Sequence, residues 1–249
     1  VKNRIFFWLI FFVNINILFA RFSSSNDSLY SELHWSLCGN SSREIIRKLD
    51  IEPESNKERV VTFYDLKKND GSFEFFNQGV VLRLRVDADS EASTTIKIKV
   101  NGLNDFIDQN TLAEDEKYKC EEDRYVDRKS YFCSLSRHFR FPSRTLFSEN
   151  QKAFLNKKYL RELQFEKLSS FGPVLNNVWV FSRSTGFVLE EMRLPDATSF
   201  YELSKRVPFD EAEKKYREYS DFLQKKNVHL CEIQESKTLK VLNFFKNIF

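Results

Sequence analysis

Basic residues recur at every second position in three stretches of this 249-residue chain. In Val80-Val-Leu-Arg-Leu-Arg-Val86, Arg83 and Arg85 alternate with aliphatic residues. In Thr94-Thr-Ile-Lys-Ile-Lys-Val100, Lys97 and Lys99 do the same. In Lys117-Tyr-Lys-Cys-Glu-Glu-Asp123, the residues Lys117, Lys119, Glu121 and Asp123 share one parity. Side chains alternate across a strand, so each stretch, folded as a strand, gathers its charges on one face. Arginine grips phosphate oxygens through two parallel hydrogen bonds, and lysine adds a compact charge. Carboxylates among such bases suit Mg²⁺ or Mn²⁺, cations that prefer carboxylate and phosphate oxygens. The chemistry on offer is the binding of a polyanion with a divalent ion.

Two architectures position those faces. One is a half-buried antiparallel sheet with its charged face in water, the ordinary explanation of any single amphipathic strand. The other is a closed barrel whose aliphatic face points outward under helices while the charged face lines the lumen. A barrel of roughly eight strands has room for a small ligand.

The remaining pattern supplies the other elements. Leu29 to Leu37, Arg59 to Tyr64 and Ser199 to Val207 read as strands, and Asn176 to Arg183 with Thr185 to Leu194 as a hairpin turning at Arg183-Ser184-Thr185-Gly186. Asn69-Asp70-Gly71 is a turn signal, and Asn101 to Ala113 a polar connection. Helices are expected over Ser42 to Leu49, capped by Ser42, and over Ser148 to Leu155, where Ser148 and Gln151 have capping-box spacing. The strongest helix signal is Asp210 to Lys226, with Asp210 and Glu213 as a capping box and Ala212, Tyr216, Tyr219, Phe222 and Leu223 as one apolar stripe. A further amphipathic helix is expected from Leu239. Trp35, Trp179 and the Phe residues are core by default.

Composition bounds the rest. With 41% hydrophobic and 30% charged residues, 26 Phe and few Gly or Pro, the chain builds a real core from regular elements. The 39 basic and 36 acidic residues leave a net charge of +3. That near balance excludes a generic nucleic-acid binder and sends any anion to a local cluster. Lys2 and Arg4 precede an apolar run from Ile5 to Ala20, the parts of a secretory signal peptide. Residues 1–20 are expected to be that signal, 21–28 a polar linker and 29–249 a single domain. The protein is then exported, periplasmic or extracellular, and meets a membrane only where the apolar run stays uncleaved. In an oxidising compartment Cys38, Cys120, Cys133 and Cys231 permit two disulfides, with three pairings. Cys120 and Cys133 suit a hairpin bridge, and four buried thiols are the alternative. No P-loop, His-Glu-x-x-His or Cys-x-x-Cys motif occurs, so a P-loop nucleotidase and a zinc peptidase are excluded. His138 and His229 have no partner at a recognisable spacing.

The ordered set of motifs resembles the CYTH, or triphosphate tunnel, superfamily, which includes triphosphatases and one class of adenylate cyclases. Thr62-Phe-Tyr-Asp65 followed by Gly79-Val-Val-Leu-Arg-Leu-Arg85 is similar to one family segment, and Thr94 to Lys99 to the next. Cys120 to Asp123, Phe147 to Lys152, Phe171-Gly-Pro173, Glu190 with Leu194-Pro195, Glu202-Leu-Ser204 and Gln234-x-Ser-Lys237 follow in the order found in an exported bacterial group. The resemblance implies an α+β fold: a closed eight-stranded antiparallel barrel with flanking helices. Carried over by position, Arg83, Arg85, Lys97, Lys99 and Arg206 hold phosphate. Glu32, Glu121, Asp123 and Glu202 carry Mg²⁺ or Mn²⁺, and Glu190 and Glu202 serve catalysis. The ligand is then a triphosphate or polyphosphate. The family opens with Glu-x-Glu-x-Lys, and this chain has Glu32-Leu-His34-Trp-Ser36. Two functions follow: a metal-dependent phosphohydrolase acting on inorganic triphosphate or an organic tri- or polyphosphate, or a non-catalytic binder of phosphorylated ligands. A third expectation is a structural barrel with no small ligand.

Overall fold

The structure, a computed structural model, describes residues 29–248 apart from 69–70, 103–111, 127, 160–162 and 183–184. The signal segment, the linker, Asn69-Asp70, most of the Asn101 to Ala113 connection and Arg183-Ser184 lie outside the described residues. Nine strands close into a barrel. In chain order they are β1 (Tyr30–Leu37), β2 (Pro53–Asp65), β3 (Val80–Asp87), β4 (Glu91–Val100), β5 (Glu116–Tyr125), β6 (Arg128–Arg140), β7 (Ser169–Phe181), β8 (Phe187–Arg193) and β9 (Ser199–Pro208). The helices are α1 (Ser42–Leu49), α2 (Glu74–Asn77), α3 (Glu149–Tyr159), α4 (Ala212–Lys225) and α5 (Lys237–Ile248).

Around the barrel the order is β1-β5-β6-β4-β3-β2-β7-β8-β9. All neighbours are antiparallel except β1 and β5, which run parallel with Glu32 opposite Asp123. The closed barrel with flanking helices agrees with expectation, but the strand count is nine and one pair is parallel. The strand absent from the sequence pattern is β6. Its lumen-facing positions carry Ser130, Ser134 and Ser136 rather than a run of charges, so its alternation is faint. It pairs with both β4 and β5, hence those two charged strands are not neighbours.

The two faces follow the alternation of side chains. The outward residues Val80, Leu82, Ile96 and Ile98 pack with Phe75, Phe147 and Leu155 beneath α2 and α3. Leu33, Trp35, Leu189 and Leu203 pack with Ile45, Leu49, Tyr216 and Leu223 beneath α1 and α4. The apolar cores therefore lie outside the barrel wall. Inside, at one end, Val61, Phe171, Val174 and Met192 pack against Val241, Leu242 and Phe245, so α5 stops that end.

Local signals behave unevenly. Ser148 and Gln151 form the reciprocal cap, each backbone N–H donating to the other's side chain at 3.1 Å. The cap of α1 is Ser41 with Glu44, one residue before Ser42. No Asp210–Glu213 box forms: a 3₁₀ turn over Phe209–Glu211 leads into α4, whose N-cap Glu211 makes no side-chain capping bond. Two disulfides join Cys38 to Cys231 and Cys120 to Cys133. Among the described residues no helix is long and apolar enough to cross a membrane.

Candidate functional site in the barrel lumen

The barrel encloses a cavity of about 610 Å³. It receives Arg83 and Arg85 from β3, Lys97 from β4, Lys119, Glu121 and Asp123 from β5, Glu32 and His34 from β1, Glu190 from β8 and Glu202 from β9. The convergence expected from strand parity is thus present for most of the sequence-derived set. Lys99 and Arg206 are exceptions: both are exposed and neither lines the cavity. Lys99 lies against Gly79, whose positive φ of 73° starts β3. A Cβ on Gly79 would come within 2.7 Å of the Lys99 Cβ. The Arg206 guanidinium covers the Tyr30 ring at 4.1 Å. Asp65, in the first family-like segment, has a structural task. Its carboxylate accepts the backbone N–H groups of Phe75 and Phe76, both at 2.9 Å, and fixes the turn before β3.

The cavity has unlike walls. On the basic side, the buried Nε atoms of Arg83 and Arg85 have no hydrogen-bond partner among the described residues. Burial lowers the Arg83 pKa to about 10, and Arg59 adds to that effect against the pull of Glu32, Asp123 and Glu121. Arg85 is pressed well below the usual arginine value by burial, then by Arg83 and Arg59. Arginine stays charged in proteins, so both remain cations despite burial and mutual repulsion.

The acidic side is already paired. Lys97 donates to Asp123 at 2.5 Å and lies 3.8 Å from Glu121, which also receives Lys119 at 2.8 Å. Arg59 donates to Glu190 at 2.6 Å and to Asn176 at 2.7 Å. Tyr125 donates to Glu202 at 2.8 Å, and its ring stacks on His34 at 4.7 Å. His34 Nδ1 lies 3.2 Å from Glu202, while Nε2 lies 4.0 Å from both Glu32 and Asp123. Burial opposes a charged His34, but Glu202 and Glu32 outweigh it and lift the pKa to about 10. The same field works in reverse on Glu32: burial raises it, yet His34, Lys97 and Lys119 hold it at about 2. Finally, Lys237 at the start of α5 places its Nζ on Glu190 and 2.8 Å from Glu202. Burial presses its pKa well below the usual lysine value; Glu32 pulls upward, while Arg85, Arg83 and Arg59 press down.

Glu32, His34 and Asp123 bring one ligand atom each within 4.8 Å of one another, a group suited to a metal ion. His34 Nε2 and Asp123 Oδ1 are buried and have no hydrogen-bond partner among the described residues, and an ion between them would have to displace the imidazole proton. The imidazole moves this set from Mg²⁺ toward transition ions. Glu121 and Glu202, also expected as ligands, are held instead by the lysines, His34 and Tyr125.

Sequence reasoning missed Arg59, Tyr125, Lys237 as a lumen residue, and the hydroxyls of Ser93, Ser130, Ser134 and Ser136. A period-two serine pattern in Arg128 to Arg140 was the signal available for the last three. Nothing in the local sequence marks Arg59 or Tyr125.

Fold and site together define a closed barrel with a charged lumen. HpAC1 from Hippeastrum, an adenylyl cyclase candidate with a dominant triphosphatase activity, shares the fold with a TM-score of 0.57 and 14% identity over 87% of this chain and 96% of that one. An adenylate cyclase candidate from Bacillus halodurans shares it with a TM-score of 0.50 and 13% identity over 86% and 96%. No protein-family model matches the chain, and no curated protein matches it by sequence.

Proposed function

We propose that the lumen binds the phosphate chain of a triphosphate or polyphosphate. The observation that carries this reading is the pair Arg83 and Arg85, two half-buried arginines on a cavity wall whose buried Nε atoms have no partner among the described residues. A buried donor without a partner is costly, and a phosphate oxygen supplies both charge and acceptor. Lys97 holds the middle of the cavity, with its ammonium shared between Asp123 and Glu121. The hydroxyls of Thr95, Ser134 and Ser136 face the same space and offer weaker, neutral donors. The segment at 1–20 and the two disulfides support export to an oxidising compartment.

A second reading, metal-assisted hydrolysis, is favoured by the Glu32–His34–Asp123 group and by the triphosphatase activity of the Hippeastrum neighbour. A divalent ion there would neutralise phosphate oxygens and lower the pKa of a water. The chain's own part is to hold the phosphates against Arg83 and Arg85 and to keep Glu202 oriented through Tyr125.

The test is thermal stabilisation by inorganic triphosphate, beside phosphate release with Mg²⁺, with Mn²⁺ and with chelator, in wild type and Glu202→Ala. Stabilisation without release establishes a binder. Metal-dependent release lost in Glu202→Ala establishes the hydrolase. Absence of both signals rejects the phosphate reading.

A further inference from the structure

The chain departs from the family pattern at Ser36, and the structure shows what occupies the space. The segment after α4 runs back along the end of β1. Cys38 N donates to His229 O at 3.0 Å, and Cys231 N donates to Ser36 O at 2.9 Å. The Gln234 amide brackets Ser36, accepting from its N–H at 2.7 Å and donating to its C=O at 3.0 Å. Ser36 Oγ donates to Glu235 O at 2.7 Å, and the Cys38–Cys231 disulfide ties the strap down. Ser36 and Gln234 are buried, and the strap ends where Lys237 enters the lumen.

Glu190 and Glu202 are opposite one another on β8 and β9, and both are buried. Two buried carboxylates side by side repel, and Arg59 on Glu190 and His34 on Glu202 each neutralise one from its own side, leaving the space between them for a shared cation. The Lys237 Nζ is in contact with both, and two carboxylates at that range favour the ammonium against the burial and the arginines that press its pKa down. We propose that Lys237 is a built-in counter-ion at the Glu190–Glu202 pair, delivered by the strap, and that it does there what a divalent cation would otherwise do. The lumen then binds phosphate without metal at that position, and a metal ion reaches those carboxylates only by displacing the lysine. The phosphate half of this statement rests on the function proposed above; the metal half does not.

The experiment measures Mn²⁺ binding by electron paramagnetic resonance and triphosphate binding by calorimetry. It uses the full chain, Lys237→Ala, and Lys237→Gln as the variant that retains a polar side chain should the alanine fail to fold. In wild type, triphosphate binds in chelator, and added Mn²⁺ changes its Kd by less than about threefold, an energy difference under one tenfold step. Loss of the lysine tightens Mn²⁺ by about tenfold or more, as expected for removal of a charged competitor, and makes triphosphate binding depend on Mn²⁺. Equal Mn²⁺ affinity in wild type and variants overturns the proposal, as does triphosphate binding in wild type that appears only with Mn²⁺. Absence of triphosphate binding in every sample rejects the phosphate reading, and the Mn²⁺ comparison still decides the role of Lys237.

Discussion

The two walls of the lumen carry opposite charges and are in opposite states. On the acidic wall each carboxylate has a cation within 4.0 Å: Glu32 and Asp123 face His34, Glu121 faces Lys119, and Glu190 and Glu202 share Lys237. On the basic wall, Arg83 and Arg85 enter the cavity with buried Nε atoms that lack a partner among the described residues. The acidic wall is paired largely within the chain, with His34 Nε2 and Asp123 Oδ1 left over, whereas the basic wall offers donors that the chain itself does not use. Stability and binding should therefore separate between the walls when they are mutated.

The largest effect should come from the strap that serves the acidic wall. The Cys38–Cys231 bond closes a separation of 193 residues, and chain entropy gives its removal a cost of about 5 kcal/mol. The Cys120–Cys133 bond closes only 13, for which the same relation gives about 3 kcal/mol. Denaturant unfolding of the two Cys→Ser pairs should rank them in that order. Equal losses would show that the strap is not a constraint on the fold.

Next is Glu202→Ala. It removes a buried carboxylate that holds His34, Tyr125 and Lys237. Breaking such a pair and leaving cations unmatched costs about 3–5 kcal/mol. Calorimetric melting should show the loss without any ligand present.

Arg83→Ala and Lys97→Ala sharpen the contrast. Each should weaken triphosphate binding by about 1.5–3 kcal/mol, as for a hydrogen bond to a charged group. Arg83→Ala should leave the melting temperature of the free protein unchanged or raised, because a buried Nε donor without a partner leaves with it. Lys97→Ala should lower it, because Asp123 and Glu121 lose their partner. A stability loss in Arg83→Ala equal to that in Lys97→Ala would erase the distinction between the walls.

A further contrast is a slope with pH. The His34 pKa is raised to about 10 from 6.5, so its stabilising contribution is complete below pH 6.5 and is lost as pH rises through 10. Glu32 lies at about 2 rather than 4.5, so its contribution is present above pH 4.5 and lost as pH falls toward 2. Denaturant titrations should therefore show stability falling from pH 6.5 to 10, with the slope reduced in His34→Asn.

How much of this was legible in the sequence depends on the range of the interaction. The charged faces of β3, β4 and β5 were visible because a period-two pattern is local; parity put Arg83, Arg85, Lys97, Glu121 and Asp123 on charged strand faces, and the resemblance implied that those faces share one lumen. The parallel contact of β1 with β5 was hidden, since pairing between distant strands leaves no mark in either. So was β6, where serines replace charges. Lys99 has the right parity, yet it stands against Gly79 and remains exposed, because parity gives a face and not a depth. Lys237 was noted only as part of a motif. Its role arises from a strap held by a disulfide and by Gln234 on Ser36, contacts of nearly two hundred residues' separation. His34 stands where the resemblance has a carboxylate, and the sequence did not show that Glu202, Glu32 and Asp123 would surround it and raise its pKa.

The most direct test of the account is calorimetric titration of inorganic triphosphate into the wild-type chain and into Arg83→Ala/Arg85→Ala, with free metal removed by chelator. The account predicts saturable one-to-one binding in wild type and its loss in the double variant, while the variant melts no lower than wild type. Wild-type affinity retained in the double variant, or no binding by wild type, would contradict it.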